Sequence, residues 1–118
     1  MTDQDRSRSW HGPSPDDLAR LIQLVLESVD PVGIMLFGSA ARGEMQGDSD
    51  IDLLVIVPDG TPRRRTAQRL YLERGRQGVR LPVEFHVATT SMVARNRDDI
   101  GTLYYDATRE GRELYAAA

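Results

Sequence analysis

The chain has 118 residues, of which 15 are basic and 18 acidic, for a formal charge of −3, and it contains no cysteine. That length suits one domain, the lack of thiols excludes disulfides, thiolate catalysis and cysteine-ligated zinc, and the acidic balance argues against a general nucleic-acid-binding surface. All 15 basic residues are arginine, so lysine nucleophiles and Schiff bases are excluded and cationic chemistry falls to guanidinium groups.

Residues 1–13 carry acids among arginines and no apolar signal core, so they read as a flexible tail before a single domain over 14–118. Trp10 and His11 fall in that tail. No apolar run approaches the roughly 20 residues that span a bilayer, and the expectation is a soluble cytoplasmic protein. Ser14-Pro15-Asp16-Asp17 is a helix start: a Ser N-cap, Pro at the first helical position, and acids at the positive end of the helix dipole. Leu18, Leu21, Ile22, Val25 and Leu26 then recur at helical spacing and make one apolar face. Asp30-Pro31 closes the helix, and Val32 to Phe37 reads as the first strand.

Gly38 to Asp52 is the stretch around which the chain is organised. It holds Gly38-Ser39, ten residues, then Asp50-Ile51-Asp52, with a second apolar strand running from Ile51 to Val57. Gly38 frees the backbone at a strand end, and Ala40-Ala41-Arg42 can begin a helical turn whose N–H groups would favour phosphate. Asp50 and Asp52, one residue apart at a strand entrance, point to the same face. Two carboxylates that close call for a cation, and oxygen ligands of this kind suit Mg2+. Gly-Ser alone is a common turn, and Asp-x-Asp alone a common strand start. Their conjunction at this spacing, each beside a strand, points instead to a nucleoside triphosphate and its metal.

Pro58-Asp59-Gly60 turns the chain into a helix opened by Thr61-Pro62, which carries Arg63, Arg64, Arg65, Arg69, Arg74 and Arg76. Such a run reads first as a solvated helix face, and second as a surface for an acidic partner protein or RNA. From Val83 to Ala88, alternation sets Val83, Phe85 and Val87 on one face of a strand and Glu84 and His86 on the other. Glu84 and His86 thus fall on the side that Asp50 and Asp52 of a neighbouring strand can share, and His86 reads as a neighbour that tunes the site or as an ordinary surface histidine rather than as a ligand. A short helix follows with Thr89 or Thr90 as its cap. A further helix through Leu103, Tyr104 and Tyr105 is predicted to be capped by Asp98-Asp99, with Gly111 as its stop and a final strand over Arg112 to Tyr115.

The order of elements describes an α/β domain with a small mixed β-sheet, helices packed on one face and the active site on the other. Gly38-Ser39 with Asp50-x-Asp52 resembles the signature of the DNA polymerase β-like nucleotidyltransferases, and the short chain resembles their minimal, MNT-type branch over roughly residues 15 to 115. The resemblance implies the polymerase β palm-like fold and transfer of a nucleoside monophosphate, AMP from ATP, with two Mg2+ ions held by Asp50, Asp52 and Glu84. It also implies triphosphate binding by Gly38 and Ser39. Many members have arginine directly after Gly-Ser; this chain has Ala40, which leaves Arg42 as the nearest phosphate cation. Members often have aspartate where Glu84 stands. Minimal members of this kind are often antitoxins that adenylylate a tyrosine of a HEPN-type toxin, which makes such a toxin the expected partner. Two alternatives remain open: an antitoxin that neutralises its partner by contact alone, and a homodimer that modifies a small-molecule drug.

Overall fold

The computed structural model describes residues 11–99 and 101–118, so Trp10 and most of the expected tail lie outside the described residues. The first helix, α1, spans Pro15–Ser28 and starts on a reciprocal capping box. Ser14 Oγ accepts from the Asp17 N–H at 3.1 Å, and Asp17 Oδ2 accepts from the Ser14 N–H at 3.2 Å, which satisfies two N–H groups otherwise orphaned at a helix start. Its buried face is Leu18, Leu21, Leu24 and Val25, while Leu26 is exposed. At about 100° per residue the stripe is centred near Leu21, which brings Leu24 inside it and turns Leu26 to the far side. The expected face is thus corrected by one residue.

Strand β1, Gly33–Phe37, runs directly into a short helix α2, Gly38–Arg42, which closes on Gly43 in the left-handed conformation. Strand β2 is Ile51–Val57, helix α3 Arg63–Arg76, strand β3 Val83–Thr89 and helix α4 Thr90–Asn96. Helix α5, Leu103–Glu110, leads into strand β4, Arg112–Ala116. The cap of α5 is Thr102, whose Oγ1 accepts from the Tyr105 N–H at 3.3 Å. The expected capping acid Asp98 is instead engaged by Arg109 at 2.6 Å.

The sheet order is β3-β2-β1-β4, with β1 antiparallel to β2 and β4 and β2 parallel to β3, so it is small and mixed as expected. One face, built from Ile34, Leu36, Ile51, Leu53, Val55, Val57, Val83 and Phe85, packs beneath the leucines of α1 and Leu70 of α3. A fully buried leucine of this kind contributes about 1.5–3 kcal/mol through burial. The other face holds a smaller cluster of Phe37, Leu54 and Ala88 against Ala107 of α5, with Met92 and Val93 of α4 at its margin. The two long helices therefore cover one face as expected, and α4 and α5 add cover to part of the second. Where that second cluster stops, toward the start of β2 and β3, the exposed row is polar.

Among the described residues no helix is long and apolar enough to cross a membrane.

Candidate active site

The polar row is set by strand register. Asp52 pairs with Phe37 on β1 and with Glu84 on β3, so two carboxylates occupy adjacent positions of a parallel ladder. A one-residue slip of β3 would turn Glu84 to the apolar face, and Val83 and Phe85, both buried there, hold it in place. His86, two residues further along β3, shares this face. Its Nε2 lies 3.1 Å from Asp52 Oδ1 and 3.9 Å from Glu84 Oε1. Its ring stands edge-on to Phe37 with centroids 5.2 Å apart, so the last residue of β1 buttresses the imidazole.

Gly38 completes this corner. It has a φ of +70°, and a Cβ placed there would stand 2.7 Å from Asp52 Oδ2. Glycine therefore serves two needs at once, a left-handed backbone and room for a carboxylate. Ser39, half-buried, follows in the first turn of α2.

Asp50 sits one residue before β2 and is exposed. The donor atoms that come within 4.8 Å of one another belong to Asp52, Glu84 and His86, and Asp50 is not in that group. Among the described residues no arginine forms an ion pair with Asp52 or Glu84. Arg42 is committed elsewhere: its Nε meets Glu44 at 2.6 Å and a terminal nitrogen meets Glu110 at 3.4 Å. The hydrogen bond and charge of Glu44, with a smaller contribution from Glu110, hold its pKa above the usual arginine value.

The loop between α2 and β2 is braced by two contacts. Gln46 and Ser49 close a turn on each other, the Gln46 N–H donating to Ser49 Oγ at 2.9 Å and the Ser49 N–H to the Gln46 carbonyl at 3.0 Å. The backbone of His11 bonds to the Gly43 carbonyl at 2.8 Å and accepts from the Met45 N–H at 2.7 Å. Sequence reading gave His11 no such role, because a single bridge between distant backbones leaves no periodic signal. His86 was placed on the right face by alternation, but its approach to Asp52 depends on how two distant strands pair.

A family model described as a nucleotidyltransferase domain matches residues 18–113. The chain belongs to the nucleotidyltransferase family. No curated protein matches it. Among solved structures, this nucleotidyltransferase domain is similar to a chain of a toxin–antitoxin crystal structure with AMP-PNP, at 21% identity and a TM-score of 0.54, covering 85% of this chain and 73% of that one. A complex of tri-AMPylated Shewanella oneidensis HEPN toxin with MNT antitoxin contains a chain 19% identical, with a TM-score of 0.50 and coverage of 86% and 71%. A putative nucleotidyltransferase from Sulfolobus solfataricus is 17% identical, with a TM-score of 0.51 and coverage of 86% and 85%. At these identities the likeness is one of fold.

Proposed function

We propose that this nucleotidyltransferase moves a nucleoside monophosphate, AMP from ATP, onto a hydroxyl of a partner protein, a tyrosine of a HEPN-type toxin, and acts as its antitoxin. The observation that carries the reading is the register pair Asp52–Glu84 beside Gly38. Two carboxylates stand side by side on adjacent strands, among the described residues no arginine is paired with either, and the neighbouring residue lacks the one carbon that would displace Asp52. Such a donor set fits Mg2+ bound with a nucleotide, since Mg2+ takes one or two carboxylates together with waters and phosphates. Asp52 and Glu84 would hold metal directly, and Asp50, on the turn before β2, would supply the further carboxylate that a second ion needs. Metal bound there would lower the pKa of the acceptor hydroxyl and stabilise the leaving oxygens.

The residues of the chain itself supply position. Gly38 and Ser39, where β1 passes into α2, would lie against the triphosphate, and the buried Phe37 and Leu54 close the apolar side of the carboxylate row to water. The acceptor oxygen would attack the α-phosphorus as its proton passes to solvent, the bond from the α-phosphorus to the oxygen bridging the β-phosphate would break, and pyrophosphate would depart with the electrons of that bond. Membership of the family and the shared fold of the toxin–antitoxin chains support this reading.

Arg42 favours a second reading. With its guanidinium held by Glu44 and Glu110, the nearest phosphate cation is engaged, as in an antitoxin that neutralises by contact alone. One experiment separates the two: the purified chain, Mg2+, labelled ATP and the candidate toxin are incubated together and analysed by intact mass. An AMP adduct on the toxin, lost with Asp52→Ala, supports transfer. Tight toxin binding with no adduct refutes it in favour of neutralisation by contact.

A further inference from the structure

Asp52 and Glu84 converge on the same atom, His86 Nε2, at 3.1 and 3.9 Å. The imidazole is held by the Phe37 ring at its edge and is three-quarters shielded, its side chain 23% exposed. Two donor atoms in neighbouring positions on a small divalent ion, with bonds of about 2.1 Å, stand about 3 Å apart. Asp52 Oδ1 and His86 Nε2 already have that spacing. The Glu84 side chain is 53% exposed, so it can swing by the remaining ångström without disturbing the core.

We propose that His86 is itself a metal ligand through Nε2, and that the set Asp52–Glu84–His86 takes Mn2+ in preference to Mg2+. The inference rests on the reading of Asp52 and Glu84 as metal carboxylates, and it changes the expected chemistry of the site. An imidazole nitrogen suits first-row transition ions, whereas Mg2+ keeps to oxygen donors. The structure places a nitrogen beside the two strand carboxylates and leaves Asp50 outside the set. His86 acting only as a hydrogen-bond partner of Asp52 would leave metal preference unaffected.

The test uses the whole chain and the metal alone, without nucleotide, so that nitrogen atoms of a base cannot contribute. Mn2+ binding is titrated by EPR, and pulsed EPR then reads nitrogen nuclei coupled to the bound ion in natural-abundance and 15N-histidine protein. The expected result is a 14N coupling that becomes a 15N coupling on labelling, persists in His11→Asn and vanishes in His86→Gln. Loss of the ligand should weaken Mn2+ binding at least about tenfold while changing Mg2+ binding far less, and displacement of Mn2+ from the wild-type chain should need more than about a tenfold excess of Mg2+. The isotope readout on the unsubstituted chain does not depend on any variant folding. Mn2+ bound in an Asp52-dependent way without nitrogen coupling would overturn the role of His86 and leave the carboxylate site standing. A wild-type chain that binds neither Mn2+ nor Mg2+ would overturn both.

Discussion

Gly38→Ala should damage the site and the fold through two separable effects. The first is backbone strain: at a φ of +70° a side chain costs about 1–2 kcal/mol. The second is local, because the new Cβ at 2.7 Å from Asp52 Oδ2 falls 0.7 Å short of the 3.4 Å at which ordinary contact begins. The carboxylate must move to relieve that contact, and its other oxygen is the one held by His86 at 3.1 Å. Losing a bond of this kind adds about 1 kcal/mol, for a total near 2–3 kcal/mol. Gly78→Ala is the matched control, since Gly78 has a φ of +67° and nothing within 4 Å of the added carbon. It should cost about 1–2 kcal/mol of strain alone. Urea unfolding of the two variants measures stability, and calorimetric titration with Mn2+ or Mg2+ measures the site. Gly78→Ala should bind metal as the wild type does, and Gly38→Ala should lose about tenfold or more, with transfer falling by up to about a hundredfold as the carboxylate is displaced. Equal stability and equal metal binding in the two variants would refute the claim that Gly38 is glycine because of Asp52.

Three further outcomes follow from contacts away from that corner. Tyr71→Phe removes the hydroxyl that accepts from the Phe85 N–H at 2.9 Å on β3, the outer strand of the described sheet; it should cost about 1 kcal/mol and speed amide exchange at Phe85, with unchanged exchange counting against the contact. Ser14→Ala breaks the α1 capping box and should cost about 1 kcal/mol by urea unfolding, against no effect if the box is idle. The pKa of Asp59 is lowered first by the hydroxyl and then by the N–H of Ser91, so its contribution to stability is present above the ordinary value of 3.8 and is lost as pH falls through the lowered pKa. Unfolding midpoints measured down to that range should show an acid limb in the wild type that is shallower in Asp59→Asn; superimposable limbs would sink the assignment.

Signals carried by neighbours in the chain were legible in the sequence. Ser14 and Asp17 sit three residues apart, so their box could be read directly, and the bounds of β2 follow from its apolar run. The same locality explains the misses. Asp98-Asp99 has the chemistry of a cap, but Thr102 stands where α5 begins, and Asp98 is drawn to Arg109 eleven residues away. In the site, alternation put Glu84 and His86 on one face, yet nothing local states that β3 lies parallel to β2 with Glu84 opposite Asp52. Arg42 was nominated by its distance from Gly-Ser; its pairing with Glu110, 68 residues further on, could not be read from spacing. Family resemblance helped where pairing was invisible, because it carries information about register that one sequence lacks.

Helix α3 shows how a segment with no residue in the site can still determine it. Most of its arginines face outward, as a solvated surface would, and their positive charge gives no account of the carboxylate row. Arg74 is different: its Nε and a terminal nitrogen both donate to the Leu81 carbonyl, at 3.1 and 2.9 Å, just before β3 begins. Tyr71 takes the Phe85 N–H one residue beyond Glu84. On the other side of the strand start, the Ile51 N–H donates to the Pro82 carbonyl at 2.6 Å. The backbone on either side of Glu84 is thus held by three contacts, none of which engages its own side chain. The metal role proposed for Glu84 would need that combination, a strand that cannot slip and a side chain that can move. Arg74 thus bears on the proposed site through the register of β3 that it helps to hold.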